Sequence, residues 1–252
     1  ALAAAGIRFV TAKHETAAGF MAEAVWQRTA TPPVLVATVG PGLSNATNVV
    51  VNASLDRVPL IVLAGAVDAD DALTYNHQIV DHPRLLEPAI KAAFTLTATA
   101  ADLITEKALA LATDPRPGPV LIDVPIDVAA ATAGREAGLR RRRPAAVAPA
   151  EGPALDDVRD WLGTAERPLL IAGFDAVADG AGPALRDFVE TFRVPVAQTY
   201  KAKGLLPEDH PFALGAAALS PAADERIMAV LREADLVILA GYDAVEMRRS
   251  WQ

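Results

Sequence analysis

Short apolar runs that alternate with helical stretches are the feature that most constrains the fold of this chain. Residues 34–39 and 60–64 are almost purely apolar, and each run is followed by a glycine, Gly40 or Gly65. Brief runs rich in β-branched residues and bounded by turn residues predict strands that are covered on both faces. Because such strands alternate with helical patterns, the sequence predicts parallel sheets covered by helices.

The same alternation continues on both sides of these strands. Residues 7–11 predict a strand and residues 15–28 a helix, with Phe20, Met21, Ala24 and Val25 as its apolar positions. Ser44 is expected to cap a helix that runs to about residue 55. The later predicted elements are helices at 101–113, 155–162, 183–192 and 222–232, and strands at 120–124, 169–172, 194–198 and 236–240.

A change in composition divides the chain into two parts. Residues 129–153 are rich in Ala, Pro, Gly and Arg and show no helical or strand period, which predicts a linker. With 252 residues, the chain is long enough for two domains. We therefore predict an α/β fold of two doubly wound parallel-sheet units, covering residues 1–128 and 154–252.

Charge and composition narrow the possible partners. The net charge is −8, and the only basic cluster is Arg140–Arg143, so we expect no nucleic-acid partner. No apolar run approaches the ~20 residues of a membrane span, so we expect no membrane partner. The absence of cysteine excludes disulfides and thiolate catalysis and is typical of a cytoplasmic protein, the localisation we predict.

Two segments place unusual residues where parallel sheets bind ligands, beyond the carboxyl ends of strands. One is Lys13-His14-Glu15, and the other is the Gly-Pro-Gly-Leu-Ser-Asn stretch at 40–45. Taken singly, Glu15 is an ordinary acidic residue of a first helical turn, and the glycines form an ordinary turn. A non-catalytic nucleotide-binding or regulatory α/β module is therefore an alternative to an enzyme.

Four motifs occur in a fixed order and favour the enzyme. They are His-Glu-Thr-Ala-Ala-Gly-Phe-Met-Ala at 14–22, Thr-Val-Gly-Pro-Gly-Leu-Ser-Asn at 38–45, Asp-Arg-Val-Pro-Leu-Ile at 56–61 and Arg-Pro-Gly-Pro-Val-Leu-Ile-Asp-Val-Pro-Ile-Asp-Val at 116–128. This series resembles the pyrimidine-binding domain of thiamine-diphosphate-dependent enzymes of the acetolactate synthase type. Residues 200–211 and 234–243 are similar to the central domain of the same family.

The resemblance implies roles for five residues around the cofactor. Glu15 would be the catalytic carboxylate that hydrogen-bonds N1′ of the aminopyrimidine and promotes proton loss from thiazolium C2. The thiazolium would then accept the electron pair released when a 2-oxo acid loses CO₂. Gly40, Pro41 and Gly42 match the turn that approaches the aminopyrimidine, where glycine permits close backbone contact. Asn45 would line the same side of the cofactor site, or it would simply occupy the first turn of the helix without a role in the site.

Two further residues are candidates for substrate contacts, and for each the alternative is an ordinary solvated surface residue. Gln78 aligns with a glutamine that relatives place at the substrate end of the site, although His77 replaces the aromatic residue that often precedes it. Lys91 follows Pro88-Ala89-Ile90, which is similar to the family's Pro-hydrophobic-Thr-Lys stretch. His82 and His210 each precede a proline and are interpreted as loop residues rather than bases.

The resemblance also implies components that this sequence does not contain. The family holds Mg²⁺ and the diphosphate through a Gly-Asp-Gly motif with a later asparagine, and the sequence contains no such motif, so no metal ligand is predicted here. We therefore expect a fragment that lacks the diphosphate-binding domain, has an incomplete central domain and is inactive alone. Because that family forms its site between subunits, the resemblance implies a homodimer or homotetramer.

Flavin is a separate question, because some relatives carry a non-redox FAD on the central domain. The corresponding turn here is Ala-Gly-Phe-Asp at 172–175, which is poorer in glycine than expected for a flavin site. The sequence therefore favours a chain without FAD but leaves it open.

Overall fold

The structure is a computed structural model that describes residues 5–132, 151–217 and 220–243. Contacts divide the chain into two compact units, Ala1–Ala146 and Val147–Gln252. Most of the predicted linker, 129–153, lies outside the described residues, so its assignment stays a prediction.

The first unit is built on a four-stranded, all-parallel sheet. Its strands are β1 (Val34–Ala37), β2 (Ile61–Ala66), β3 (Ala92–Thr95) and β4 (Val120–Pro125), in the spatial order β1-β2-β4-β3. Its helices are α1 (Glu15–Thr29), α2 (Pro41–Leu55), α3 (His82–Leu86), α4 (Ala101–Ala112) and α5 (Ile126–Ala130).

Helices cover both faces of this sheet. Successive residues of a strand point to opposite faces and so contact different helices. On β4, Leu121 belongs to a core cluster that includes Val49 and Val50 of α2. The flanking residues Val120 and Ile122 belong to a second cluster, which contains Ala108 and Ala112 of α4. The unit therefore has a separate apolar core on each side of the sheet.

The second unit repeats this architecture. Its strands are β5 (Pro168–Ala172), β6 (Val196–Thr199), β7 (Ala213–Ala217) and β8 (Leu236–Ala240), which form a parallel sheet in the order β7-β6-β5-β8. Its helices are α6 (Pro153–Thr164), α7 (Phe174–Ala178), α8 (Gly182–Phe192) and α9 (Pro221–Glu233). The two parallel sheets confirm the predicted fold class.

Several predicted elements were wrong in detail. Residues 7–11 form no strand, and Ile7, Phe9 and Val10 are more than half exposed. The helix assigned to a Ser44 cap begins earlier, because Pro41 occupies its first turn and Gly40 precedes it. Strands β3 and β7 and the short helices α3, α5 and α7 were not predicted.

Two apolar faces also differ from the expectation. Strand β1 is buried on only one face, because it lies at the sheet edge and exposes Val34 and Val36. Helix α1 contacts the core through the small residues Ala18 and Ala22 and through Trp26. The residues predicted as its apolar positions are exposed: Phe20, Met21, Ala24 and Val25.

Across the residues that the structure describes, none of the helices combines the length and the hydropathy that a bilayer crossing requires.

Candidate active site

Glu15 lies where a hydrogen bond joins the first turn of α1 to the first turn of α2. The His14 ring caps α1 by accepting a hydrogen bond from the Thr16 backbone N–H at 3.2 Å. The Thr16 hydroxyl donates to the backbone carbonyl of Asn45 in α2 at 2.5 Å. Gly19 lets the two helices approach closely, because a Cβ at this position would collide with Val49. The start of α1 is therefore held at a fixed place beside α2.

The Glu15 carboxylate lies beside the first turn of α2. The Asn45 side-chain amide donates to Oε2 at 3.1 Å. Oε1 lies 3.5 Å from the position that a Cβ on Gly42 would occupy. The carboxylate thus faces the glycine turn at the carboxyl end of β1, and the structure brings Glu15, Gly42 and Asn45 together.

Hydrogen bonds lower the pKa of the Glu15 carboxyl below its usual range. The largest cause is the backbone N–H of Glu15 itself, followed by the amide of Asn45, while partial desolvation opposes them. Glu15 is therefore an ionised carboxylate near neutral pH. Covering it with a bound ligand would act in the opposite direction, because burial disfavours the charged form.

The turn at residues 40–42 depends on glycine at both ends. Gly40 has φ 57° and ψ −102°, and a Cβ there would collide with the backbone carbonyl oxygen of Gln78. A Cβ on Gly42 would collide with the Thr38 side chain. Pro41 is exposed at the first turn of α2. Glycine at both positions therefore lets the turn pack against Gln78 and Thr38, with Gly42 close to the Glu15 carboxylate.

Gln78 lies beside this turn, and Lys91 does not. Gln78 has a left-handed backbone (φ 64°), its carbonyl abuts Gly40, and its side chain is exposed. Lys91 precedes β3, at the opposite edge of the sheet, where its ammonium contacts the Asp114 carboxylate and donates to the Arg116 carbonyl at 2.7 Å. These contacts support an anchoring role for Lys91, and its substrate role stays an untested prediction.

Sequence reasoning missed a buried pair behind the turn. His82 is 3% exposed and is the first residue of α3, so its interpretation as a loop residue was wrong. Its Nδ1 lies 2.8 Å from Oδ1 of Asp123, and its Nε2 lies 3.0 Å from the backbone nitrogen of Gly40. The Asp81-His82-Pro83 sequence did carry a helix-start signal, because Asp81 caps α3 and proline follows in the first turn.

Across the described residues, no group of three or more His, Cys, Asp or Glu side chains is placed to hold a metal ion.

In the second unit, the glycines after β5 and β8 allow a close contact between the turns that follow these strands. A Cβ on Gly173 would collide with the carbonyl oxygen of Gly241, and one on Gly241 with the backbone of Ala176.

Comparison with known proteins matches both units to one family. Residues 1–85 match the description "Thiamine pyrophosphate enzyme, N-terminal TPP binding domain", and residues 155–251 match "Thiamine pyrophosphate enzyme, central domain".

Relatives of several activities share this similarity. The chain is 33% identical to the acetolactate synthase isozyme 1 large subunit of Escherichia coli K12 over 242 residues, 93% of this chain and 41% of the relative. It is 29% identical to the oxalyl-CoA decarboxylase of the same strain over 250 residues, 94% and 42% of the two chains. It is 30% identical to the glyoxylate carboligase of Escherichia coli O157:H7 over 219 residues, 86% and 37% of the two chains.

The chain thus spans less than half the length of these relatives. Both matched descriptions name the same family, and its acetolactate synthase-type members align with nearly the whole chain. The chain belongs to the thiamine pyrophosphate enzyme family, of which it carries the N-terminal TPP-binding domain and the central domain.

Proposed function

We propose that this protein, at its full natural length, is a thiamine-diphosphate-dependent decarboxylase or carboligase that acts on a 2-oxo acid. The observation that carries the proposal is the grouping of Glu15, Asn45 and Gly42 beyond the carboxyl end of β1. Parallel sheets bind ligands beyond the carboxyl ends of their strands.

The residues present fit the aminopyrimidine end of the cofactor. Glycine at 40 and 42 lets the turn pack tightly against the Gln78 carbonyl and the Thr38 side chain, so that Gly42 lies beside Oε1 of Glu15. Glu15 is half-buried, so its carboxylate is defined in position and still reachable from solvent. Asn45 occupies one carboxylate oxygen and leaves the other facing the turn.

Each side chain has a distinct task in this proposal. Bound thiamine diphosphate supplies the electron sink for loss of CO₂. Glu15, once a bound ligand covers its carboxylate and raises its pKa, would exchange a proton with the ring nitrogen of the aminopyrimidine, and Asn45 would orient the carboxylate for that exchange. We assign the substrate contact to Gln78, whose exposed side chain lies next to Gly40.

The diphosphate and its Mg²⁺ require residues outside this sequence, which has no Gly-Asp-Gly motif. We propose that a diphosphate-binding domain of a partner subunit supplies them, in a homodimer or homotetramer. The proposal needs no flavin, in keeping with the glycine-poor turn at 172–175.

Replacement of Glu15 by glutamine tests the proposal. Glu15→Gln keeps the shape of the side chain but removes its proton transfer, so we expect CO₂ release from 2-oxo acids to fall by about 10²- to 10⁴-fold. Glu87→Gln, at an exposed acidic residue of the same unit, is the matched control and should retain the wild-type rate. A Glu15→Gln rate close to wild type, or no thiamine diphosphate binding by the wild type in calorimetry, would contradict the proposal.

A further inference from the structure

The buried His82 ring can exist in only one form in this geometry. The Gly40 backbone N–H is a donor, so Nε2 of His82, 3.0 Å away, must offer its lone pair. Nδ1 therefore carries the ring proton and donates it to Oδ1 of Asp123 at 2.8 Å. His82 is thus a neutral ring with a single tautomer, and doubly protonated imidazolium would set two N–H groups against each other.

The His82 ring connects the sheet to the turn at residues 40–42 through its two hydrogen bonds. Asp123 belongs to β4, where it is in register with Ala64 of β2 and Thr95 of β3. The hydrogen-bonded path therefore runs from the centre of the sheet through His82 to Gly40. Two residues beyond Gly40, Gly42 borders the Glu15 carboxylate.

The same ring also fixes the end of the segment at 67–81, which connects β2 to α3 and carries Gln78. Gln78 lies four residues before His82, and its carbonyl is in contact with Gly40. Movement of the His82 ring would therefore displace the turn and the segment that closes over it.

We propose that His82, held in one tautomer by Asp123, is a positioning residue that fixes the Gly40–Gly42 turn and thereby the cofactor-facing side of Glu15. It is not a catalytic base, because it is 3% exposed and both ring nitrogens are occupied. The part of this inference that concerns cofactor affinity depends on the proposed function, whereas the part that concerns the turn does not.

Two amide substitutions separate the two hydrogen bonds of the ring. In His82→Gln, the terminal amide reaches the position of Nε2, so its oxygen can accept from the Gly40 N–H. In His82→Asn, the shorter amide reaches only the position of Nδ1 and can serve Asp123, leaving the Gly40 N–H without its acceptor. His210→Gln, in the second unit, is the control for a histidine-to-amide change elsewhere.

The experiment has two readouts, made on the protein at its full natural length. The first is hydrogen exchange of the peptide that contains Gly40, measured by mass spectrometry without cofactor. The second is the Kd for thiamine diphosphate with Mg²⁺, measured by calorimetry. We expect His82→Asn to speed exchange and to raise the Kd by about tenfold or more, because a buried donor loses its acceptor. His82→Gln and His210→Gln should stay within about threefold of wild type.

The inference is wrong if His82→Gln and His82→Asn show the same hydrogen exchange and the same Kd, whether both variants resemble the wild type or both are impaired. If His82→Asn does not fold, His82→Gln still tests the assigned hydrogen bond. Faster hydrogen exchange at Gly40 in His82→Gln than in the wild type contradicts that bond. If the wild type binds no thiamine diphosphate, the proposed function fails, and the exchange readout still tests the link between His82 and Gly40.

Discussion

At the scale of single residues, the ionisation of Glu15 depends on two hydrogen bonds of different origin. The backbone N–H of Glu15 belongs to the helix start and survives side-chain changes, whereas the Asn45 amide can be removed. We expect Asn45→Ala to raise the pKa of the Glu15 carboxyl part of the way towards its usual value. Carboxyl ¹³C NMR titration measures this shift, with Glu15→Gln identifying the resonance. An unchanged pKa would show that Asn45 does not act on Glu15.

The same lowered pKa predicts how Glu15 affects stability at acid pH. A carboxyl whose pKa is lower in the folded than in the unfolded chain stabilises the fold above its unfolded-state pKa, and this contribution disappears as pH falls through the folded-state pKa. We therefore expect the stability difference between wild type and Glu15→Gln to shift against the wild type as the pH is lowered from about 6 to about 3. Urea unfolding at several pH values measures it, and a difference independent of pH would contradict the lowered pKa.

Gly40 is the turn residue that tolerates a side chain least. Gly40→Ala adds a Cβ that collides with the Gln78 carbonyl and also strains a backbone with positive φ. Gly180→Ala is a matched control, because Gly180 also has positive φ but nothing lies within 4 Å of its Cβ position. We expect urea unfolding to show a loss of about 1 kcal/mol for Gly180→Ala and clearly more, about 2–4 kcal/mol, for Gly40→Ala. Equal losses would show that the contact with Gln78 contributes nothing.

These residues also show what the sequence can predict at a site. The glycine turn and Glu15 are each ordinary when taken singly, and they were recognisable because four ordered motifs together resemble one family. His82 and Asp123 were not, because they are 41 residues apart and meet only through the sheet order that places β4 between β2 and β3. A pairing set by tertiary topology leaves no spacing signal in one sequence.

At the scale of elements, the contact between α1 and α2 sets the position of Glu15. A Cβ on Gly19 would lie 3.0 Å from the Cβ of Val49 and still closer to its methyl groups, so rotation of the valine cannot relieve Gly19→Ala. We expect this variant to lose about 1–3 kcal/mol of unfolding free energy as the helices separate. In a double-mutant cycle, Val49→Ala should recover part of that loss by making room for the new methyl group.

Gly163→Ala is the control for this change, because Gly163 is also helical and has nothing within 4 Å of its Cβ position. It should stabilise the chain by up to about 1 kcal/mol through helix propensity alone. A similar gain from Gly19→Ala would contradict the close approach of α1 and α2.

The elements that were predicted wrongly share a physical cause. Hydrophobic pattern predicts that a face is apolar but not which surface covers it. Residues 7–11 have a strand-like composition yet pair with no strand, and the outward face of β1 is apolar yet exposed. By contrast, β2 and β4 occupy the centre of the sheet, and for them the burial on both faces that their composition predicts is observed.

At the scale of the whole molecule, the exposed face of α1 is the strongest reason to expect self-association. Phe20, Met21 and Val25 are 43%, 48% and 50% exposed, and their spacing places them along one side of the helix. A twofold-symmetric interface would bury each of these side chains twice. Burial of one such side chain contributes about 1.5–3 kcal/mol, so a charge at Met21 should weaken a dimer by at least about 3 kcal/mol, or roughly 100-fold in Kd.

Met21→Lys therefore tests the proposed oligomer, with the dissociation constant measured by analytical ultracentrifugation. Leu73→Lys is the control, because Leu73 is 84% exposed in the same unit but lies outside α1. We expect Met21→Lys to shift the protein towards monomer while its circular dichroism spectrum stays that of the wild type, and Leu73→Lys to leave association unchanged. Since the proposed site needs a diphosphate-binding domain from a partner, the Met21→Lys monomer should also lose affinity for thiamine diphosphate. A monomeric variant that keeps wild-type affinity would place the whole cofactor site within one subunit.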